Sequence, residues 1–136
     1  MLIREFISET NKNQMIATLL KYYKVGNVKV KHKSMKQYAD FDVDHGILNL
    51  STRYKTIKSS QIKEFLITIL HEIDHAIDSK KIGWKSFKAD YEWEMNYQIQ
   101  KGKHQYRDNK YEIEAEKFGE QNWKKWYNIF KKNQLF

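Results

Sequence analysis

The chain has 136 residues, 40% of them hydrophobic and 15% aromatic, a composition suited to one globular domain over residues 1–136 rather than a disordered segment. It contains no cysteine, which excludes disulfides and thiolate-bound zinc. Lys and Arg number 25 against 17 Asp and Glu, a net charge of +8, and residues 1–60 carry eleven of the bases and only five of the acids.

A basic first half admits a nucleic-acid or acidic partner, but the lysines are scattered rather than clustered into a footprint, so a solvated surface is the plainer reading. Residues 1–7 lack the apolar core of a signal peptide, and no run approaches a membrane span. The expectation is a cytoplasmic protein without a membrane partner.

The first helix is expected over residues 10–24, with Met15, Ile16, Leu19, Leu20 and Tyr23 as its apolar stripe, Thr10 or Asn11 as cap and Gly26 as stop. Residues 28–33 alternate with period two and read as a half-exposed strand with His32 on its valine face. Residues 39–44 alternate again, and Asp44-His45-Gly46 is a turn signal before Ile47–Ser51, which predicts a hairpin. Asp40, Asp42 and Asp44 on its outer face are spaced too widely for a calcium loop. Thr52 to Ser59 reads as polar connection.

A helix is expected over about residues 61–79, capped by Ser59 or Ser60 and ended by Gly83. Ile62, Phe65, Leu66, Ile69, Leu70, Ile73 and Ile77 recur at helical spacing, and among them stands His71-Glu72-Ile73-Asp74-His75, an HExxH sequence. One turn apart on one face, His71 and His75 can both reach one zinc ion. Glu72, about 100° further round, suits a base acting on water. The plainer alternative is an amphipathic helix with two surface histidines.

Residues 84–111 are the most aromatic stretch; Phe87, Tyr91 and Met95 fit a short helix, and aromatics in this number usually build core, with lining of a substrate groove the alternative for some. Gln100 to Asn109 reads as a loop. The last helix is expected from Asn109 to about Lys132, with Ala115, Phe118, Asn122, Trp126, Ile129 and Phe130 facing inward, and Ala115 and Gly119 small enough to admit a neighbouring helix.

A zinc site of this kind needs a third ligand, a histidine or a carboxylate. The HExxHxxGxxH pattern is absent, because its positions hold Asp78 and Lys81. Glu112 and Glu116 lie one turn apart at the start of the last helix, so Glu112 can ligate while Glu116 orients a histidine; Glu114 and His104 are the alternatives.

With HExxH on one helix and Glu112-Ile113-Glu114-Ala115-Glu116 on a later one, the chain resembles the gluzincin zinc metallopeptidases. Within them it is most similar to the small ImmA/IrrE-like, HtpX-like and minimal gluzincin groups, often encoded by phages and mobile elements. Thr68 to Ile77 and Tyr111 to Gly119 carry the resemblance. It implies Zn2+ held by His71, His75 and Glu112, with Glu72 as general base and acid in the hydrolysis of a polypeptide substrate. It also implies an α+β, zincin-like fold, with a small antiparallel sheet packed on the HExxH helix and the C-terminal helix supplying the third ligand.

An edge strand at Ile47–Ser51 would pair with extended substrate, and Tyr106, Tyr111 or His104 would stabilise the oxyanion. Asp74 departs from the family pattern, which prefers an uncharged residue there. The rival expectations are a non-catalytic zinc-binding, basic or virion-associated interaction protein and a nucleic-acid-binding protein.

Overall fold

Ser8 accepts a hydrogen bond from the Asn11 backbone N–H at 3.1 Å and starts helix α1, Glu9–Tyr22, of the computed structural model, which describes residues 6–136. The cap thus lies earlier than Thr10 or Asn11. The helix closes with the N–H of Val25 on the Leu20 carbonyl and that of Lys24 on Lys21, the paired bonds of a Schellman stop. Lys24, not Gly26, takes the left-handed conformation, with φ 61°. Met15, Ile16, Leu19 and Leu20 are buried as expected, and so is Lys12.

Strands β2 (Lys29–Lys33), β3 (Ala39–Asp42) and β4 (Ile47–Ser51) form a sheet in the order β2-β4-β3. The expected hairpin is present, with β3 antiparallel to β4 and Phe41 opposite Leu48. β2, however, runs parallel to β4, so the sheet is mixed rather than antiparallel. Alternation reports which face a residue occupies but not the direction of its neighbour. Ile47–Ser51 is therefore the central strand, with Leu48 and Leu50 fully buried, and the expectation of an edge strand there is corrected. The open edge on this side belongs to β3. A two-residue ladder also joins β1 (Phe6–Ile7) to β5 (Ile57–Lys58), within the stretch read as polar connection.

A 3-10 turn at Ser59–Gln61 leads into α2, Ile62–Ile82, whose cap residue is Gln61 rather than either serine; the Gln61 side chain accepts the Lys58 N–H at 3.0 Å instead of capping α2. Gly83, at φ 89°, ends it as expected. α3 spans Trp84–Gln100, much longer than anticipated, yet buries only Phe87 and Glu94. Trp84, Trp93, Tyr97 and Tyr106 are exposed, so most of these aromatics do not build core.

α4, Lys110–Lys132, begins at Asn109, whose side-chain oxygen accepts the Tyr111 N–H at 2.9 Å. It runs antiparallel along α2: Glu112 meets His75, Glu116 meets His71, and Gly119 meets Ile67. The core lies between α1, α2, α4 and the inner face of the sheet. The fold is α+β. Among the described residues no helix is long and apolar enough to cross a membrane.

Candidate metal centre

His71 and His75 stand one turn apart on α2, and both present Nε2 to the Glu112 carboxylate on the first turn of α4. Glu112 Oε1 lies 2.5 Å from His75 Nε2, and Oε2 lies 3.2 Å from His71 Nε2. One ligand atom from each of the three falls within 4.8 Å of the others. On its outer side His71 Nδ1 meets Glu116 Oε2 at 3.3 Å. His75 is buried and its Nδ1 has no hydrogen-bond partner; its ring lies 6.0 Å from that of Phe87 and 6.1 Å from that of Tyr91, so packing fixes its orientation.

Glu72 is buried beside them. Its closest cationic neighbour is His71 Nε2, at 4.0 Å, too long for a hydrogen bond. Burial pushes its carboxyl up to about 7 against the charges of His75 and His71. Burial alone would raise Glu112 as well, but hydrogen bonds from His71 and His75 outweigh it and hold that carboxyl far below the usual range. Burial would likewise lower His71, but its bond to Glu112 and the charge of Glu72 bring it up to about 9. The cluster is arranged for cation–carboxylate attraction, with one carboxyl, Glu72, tuned near neutrality.

Two cavities open on either side of this group. One, of about 660 Å³, lies beside His75 and is walled by Phe41 on β3, Val43 just after it, and Phe87, Tyr91 and Met95 on α3. The other, of about 570 Å³, lies beside His71 and is walled by Tyr38, Glu64, Ile67, Glu116 and Glu120. Ala39, Glu72 and Glu112 line both, so they are two arms of one cleft.

The alternative third ligands stand elsewhere. Glu114 is exposed, and its charge acts on Asp74 and Asp78. Asp74 is pushed up to about 6 by burial first and by Asp78 second. His104 is occupied in its own turn, where Nδ1 accepts the backbone N–H groups of Tyr106 and Arg107 at 3.1 Å. Of the hydroxyls expected to face the reaction, Tyr106 lines the cleft and Tyr111 does not; Tyr111 sits behind, its ring stacked on Tyr91 at 6.0 Å.

Tyr91 lines the cleft, the alternative open for some of these aromatics, although the sequence assigns it no role as a hydroxyl donor. Burial, then the charge of Glu112, pushes its hydroxyl well above the usual range, so it stays a neutral donor at the cleft wall. The available signal was its spacing of four from Phe87 on one helix face. Glu94 was missed too. Almost fully buried, it accepts the Lys110 N–H at 2.8 Å and the Gln98 amide at 3.0 Å, tying α3 to the N-terminus of α4 two residues before Glu112.

Two imidazole nitrogens and a carboxylate converging from two helices fit a divalent metal with nitrogen–oxygen preference and leave one side open to the cleft. Comparisons with protein-family models, curated proteins and solved structures find no match to this chain.

Proposed function

We propose that the protein is a zinc-dependent peptidase of the gluzincin type with a zincin-like fold. One observation carries the reading: Glu112 meets Nε2 of both motif histidines while Glu72, buried and without a hydrogen-bond partner, faces the same cleft. His71, His75 and Glu112 would hold the zinc, which when bound supplies Lewis acidity toward the carbonyl and the attacking water. Glu72, with a carboxyl brought up to about 7, takes the proton of that water and gives it to the leaving amine. Tyr91 and Tyr106, at the wall of the same arm, are the hydroxyls placed to donate to the oxyanion. Glu116 fixes the ring of His71 through Nδ1, and Phe87 and Tyr91 fix that of His75.

Extended substrate docks on β3 rather than on Ile47–Ser51. The Ser51 N–H bonds to the Tyr38 carbonyl at 2.8 Å, so by alternation Tyr38 and Asp40 face β4 while Ala39 and Phe41 turn their backbone groups to the open edge. That edge borders both arms of the cleft, and strand addition needs free backbone groups of this kind.

The test is hydrolysis of a denatured protein by the zinc-loaded chain and by its Glu72→Gln variant. The expected result is equal zinc in both, with the variant slower by about 10²–10⁴-fold. Equal hydrolysis by the variant would rule out Glu72 as the base, and zinc binding without hydrolysis in either would leave a metal site that only supports the fold.

A further inference from the structure

The cleft differs in charge from the molecule that carries it. Against a net charge of +8, the arm beside His71 is lined by Glu64, Glu112, Glu116 and Glu120, with Lys63 and His71 itself as the bases in that wall. The Lys63 ammonium sits 4.8 Å above the ring of Trp123, a contact that engages it away from the carboxylates. Glu64 is held in place by the Tyr54 hydroxyl at 2.8 Å, and Glu116 by His71. Glu120 is exposed and forms no ion pair among the described residues. The adjoining depression adds Arg107 and Lys117, and the Arg107 guanidinium lies 3.9 Å from Asp108. Tyr38, Ile67 and Thr68 complete the arm with surface suited to an aliphatic stem.

The arm beside His75 also carries carboxylates, Asp40 and Glu92, but it adds apolar walls from Phe41, Val43, Phe87, Tyr91 and Met95, and Lys88 at its rim is paired with Asp44 at 3.0 Å. Glu72 is more than nine-tenths buried and faces into both arms, and among the described residues its contact is the 4.0 Å ion pair with His71 rather than a hydrogen bond. The part of its carboxylate that stays accessible is open to a donor that enters the cleft.

We infer that the substrate is a cationic polypeptide segment, with a lysine or arginine side chain entering the arm beside His71 and an apolar or aromatic side chain entering the arm beside His75. The inference rests on the peptidase reading and adds to it the chemistry of what is cut. A negative cleft on a positive protein concentrates cations at the site and turns them away elsewhere, which orients the incoming segment.

The experiment uses the zinc-loaded full chain and an equimolar mixture of random peptides, with cut sites read by mass spectrometry. Lys and Arg are expected to be enriched on one side of the scissile bond and aromatic or aliphatic residues on the other. The enrichment of Lys and Arg should shrink several-fold as salt rises from about 0.05 to 0.5 M, because screening shortens the reach of the field. Glu120→Lys should lower it about tenfold and Glu120→Gln by less, both with zinc content equal to wild type. Cutting without Lys or Arg enrichment, or an unchanged profile in Glu120→Lys, would overturn the inference while leaving the peptidase reading intact. No cutting by a chain that holds its zinc defeats the peptidase reading itself, and this inference with it.

Discussion

A carboxylate oxygen of Glu112 lies 2.5 Å from Nε2 of His75, with 36 residues of chain between them. Nothing local holds them together. The contact exists because α4 lies antiparallel and close along α2, and because the first turn of α4 is fixed at its N-terminus.

Gly119 sets that closeness. A Cβ there would stand 3.0 Å from the Ile67 carbonyl oxygen and 3.2 Å from its Cγ2, and the first of these is backbone that cannot swing aside. Gly119→Leu is expected to lower stability by about 2–3 kcal/mol in denaturant unfolding, the scale of overpacking, and to weaken zinc binding by pushing Glu112 from the histidines. An unchanged midpoint and unchanged zinc affinity would show that the helices are not in close contact here.

Glu94 sets the start of α4. Its carboxylate accepts the Lys110 N–H at 2.8 Å from a buried position, so truncation leaves that donor unpaired. Glu94→Ala is expected to cost about 1–3 kcal/mol. It should also weaken zinc binding in competition with a chromophoric chelator. Glu94→Gln keeps an acceptor oxygen and should recover most of both losses. Equal zinc affinity in wild type and Glu94→Ala would mean that Glu112 is positioned without this contact.

The metal-free protein should depend on pH through His71. Its folded value, about 9, lies above the ordinary 6.5. A raised histidine contributes stability that is fully present below about pH 6.5 and is lost as pH rises through about 9. In chelator-treated samples, the stability difference between wild type and His71→Gln should therefore shrink across that window. Zinc needs the neutral ring, so its affinity for wild type should rise over the same range. A stability difference that grows with pH would contradict the assigned partners of His71.

Much of the site was legible because helical periodicity and the HExxH spacing are local. They place His71, Glu72 and His75 on one helix without any knowledge of the fold, and Glu112 follows from asking which carboxylates share a face on a later helix. What was illegible depends on tertiary partners. Lys12 reads as surface, yet it is 1% exposed, with its ammonium 3.0 Å from both His32 Nε2 and the Tyr54 carbonyl. The direction of β2, the length of α3 and the role of Glu94 likewise depend on neighbours that composition does not name. The aromatics of α3 were read as core because large rings usually are, whereas α3 touches the body of the molecule mainly through Phe87 and Glu94.

The central claim is that His71, His75 and Glu112 hold one zinc ion. Elemental analysis of wild type, His75→Ala and Glu112→Ala, purified without chelator, tests it directly. The expected result is one zinc per chain in wild type, none retained by His75→Ala and a much weakened site in Glu112→Ala, with all three folded by circular dichroism. Wild type that takes up no zinc even when metal is added, or a His75→Ala variant that holds as much as wild type, would contradict it.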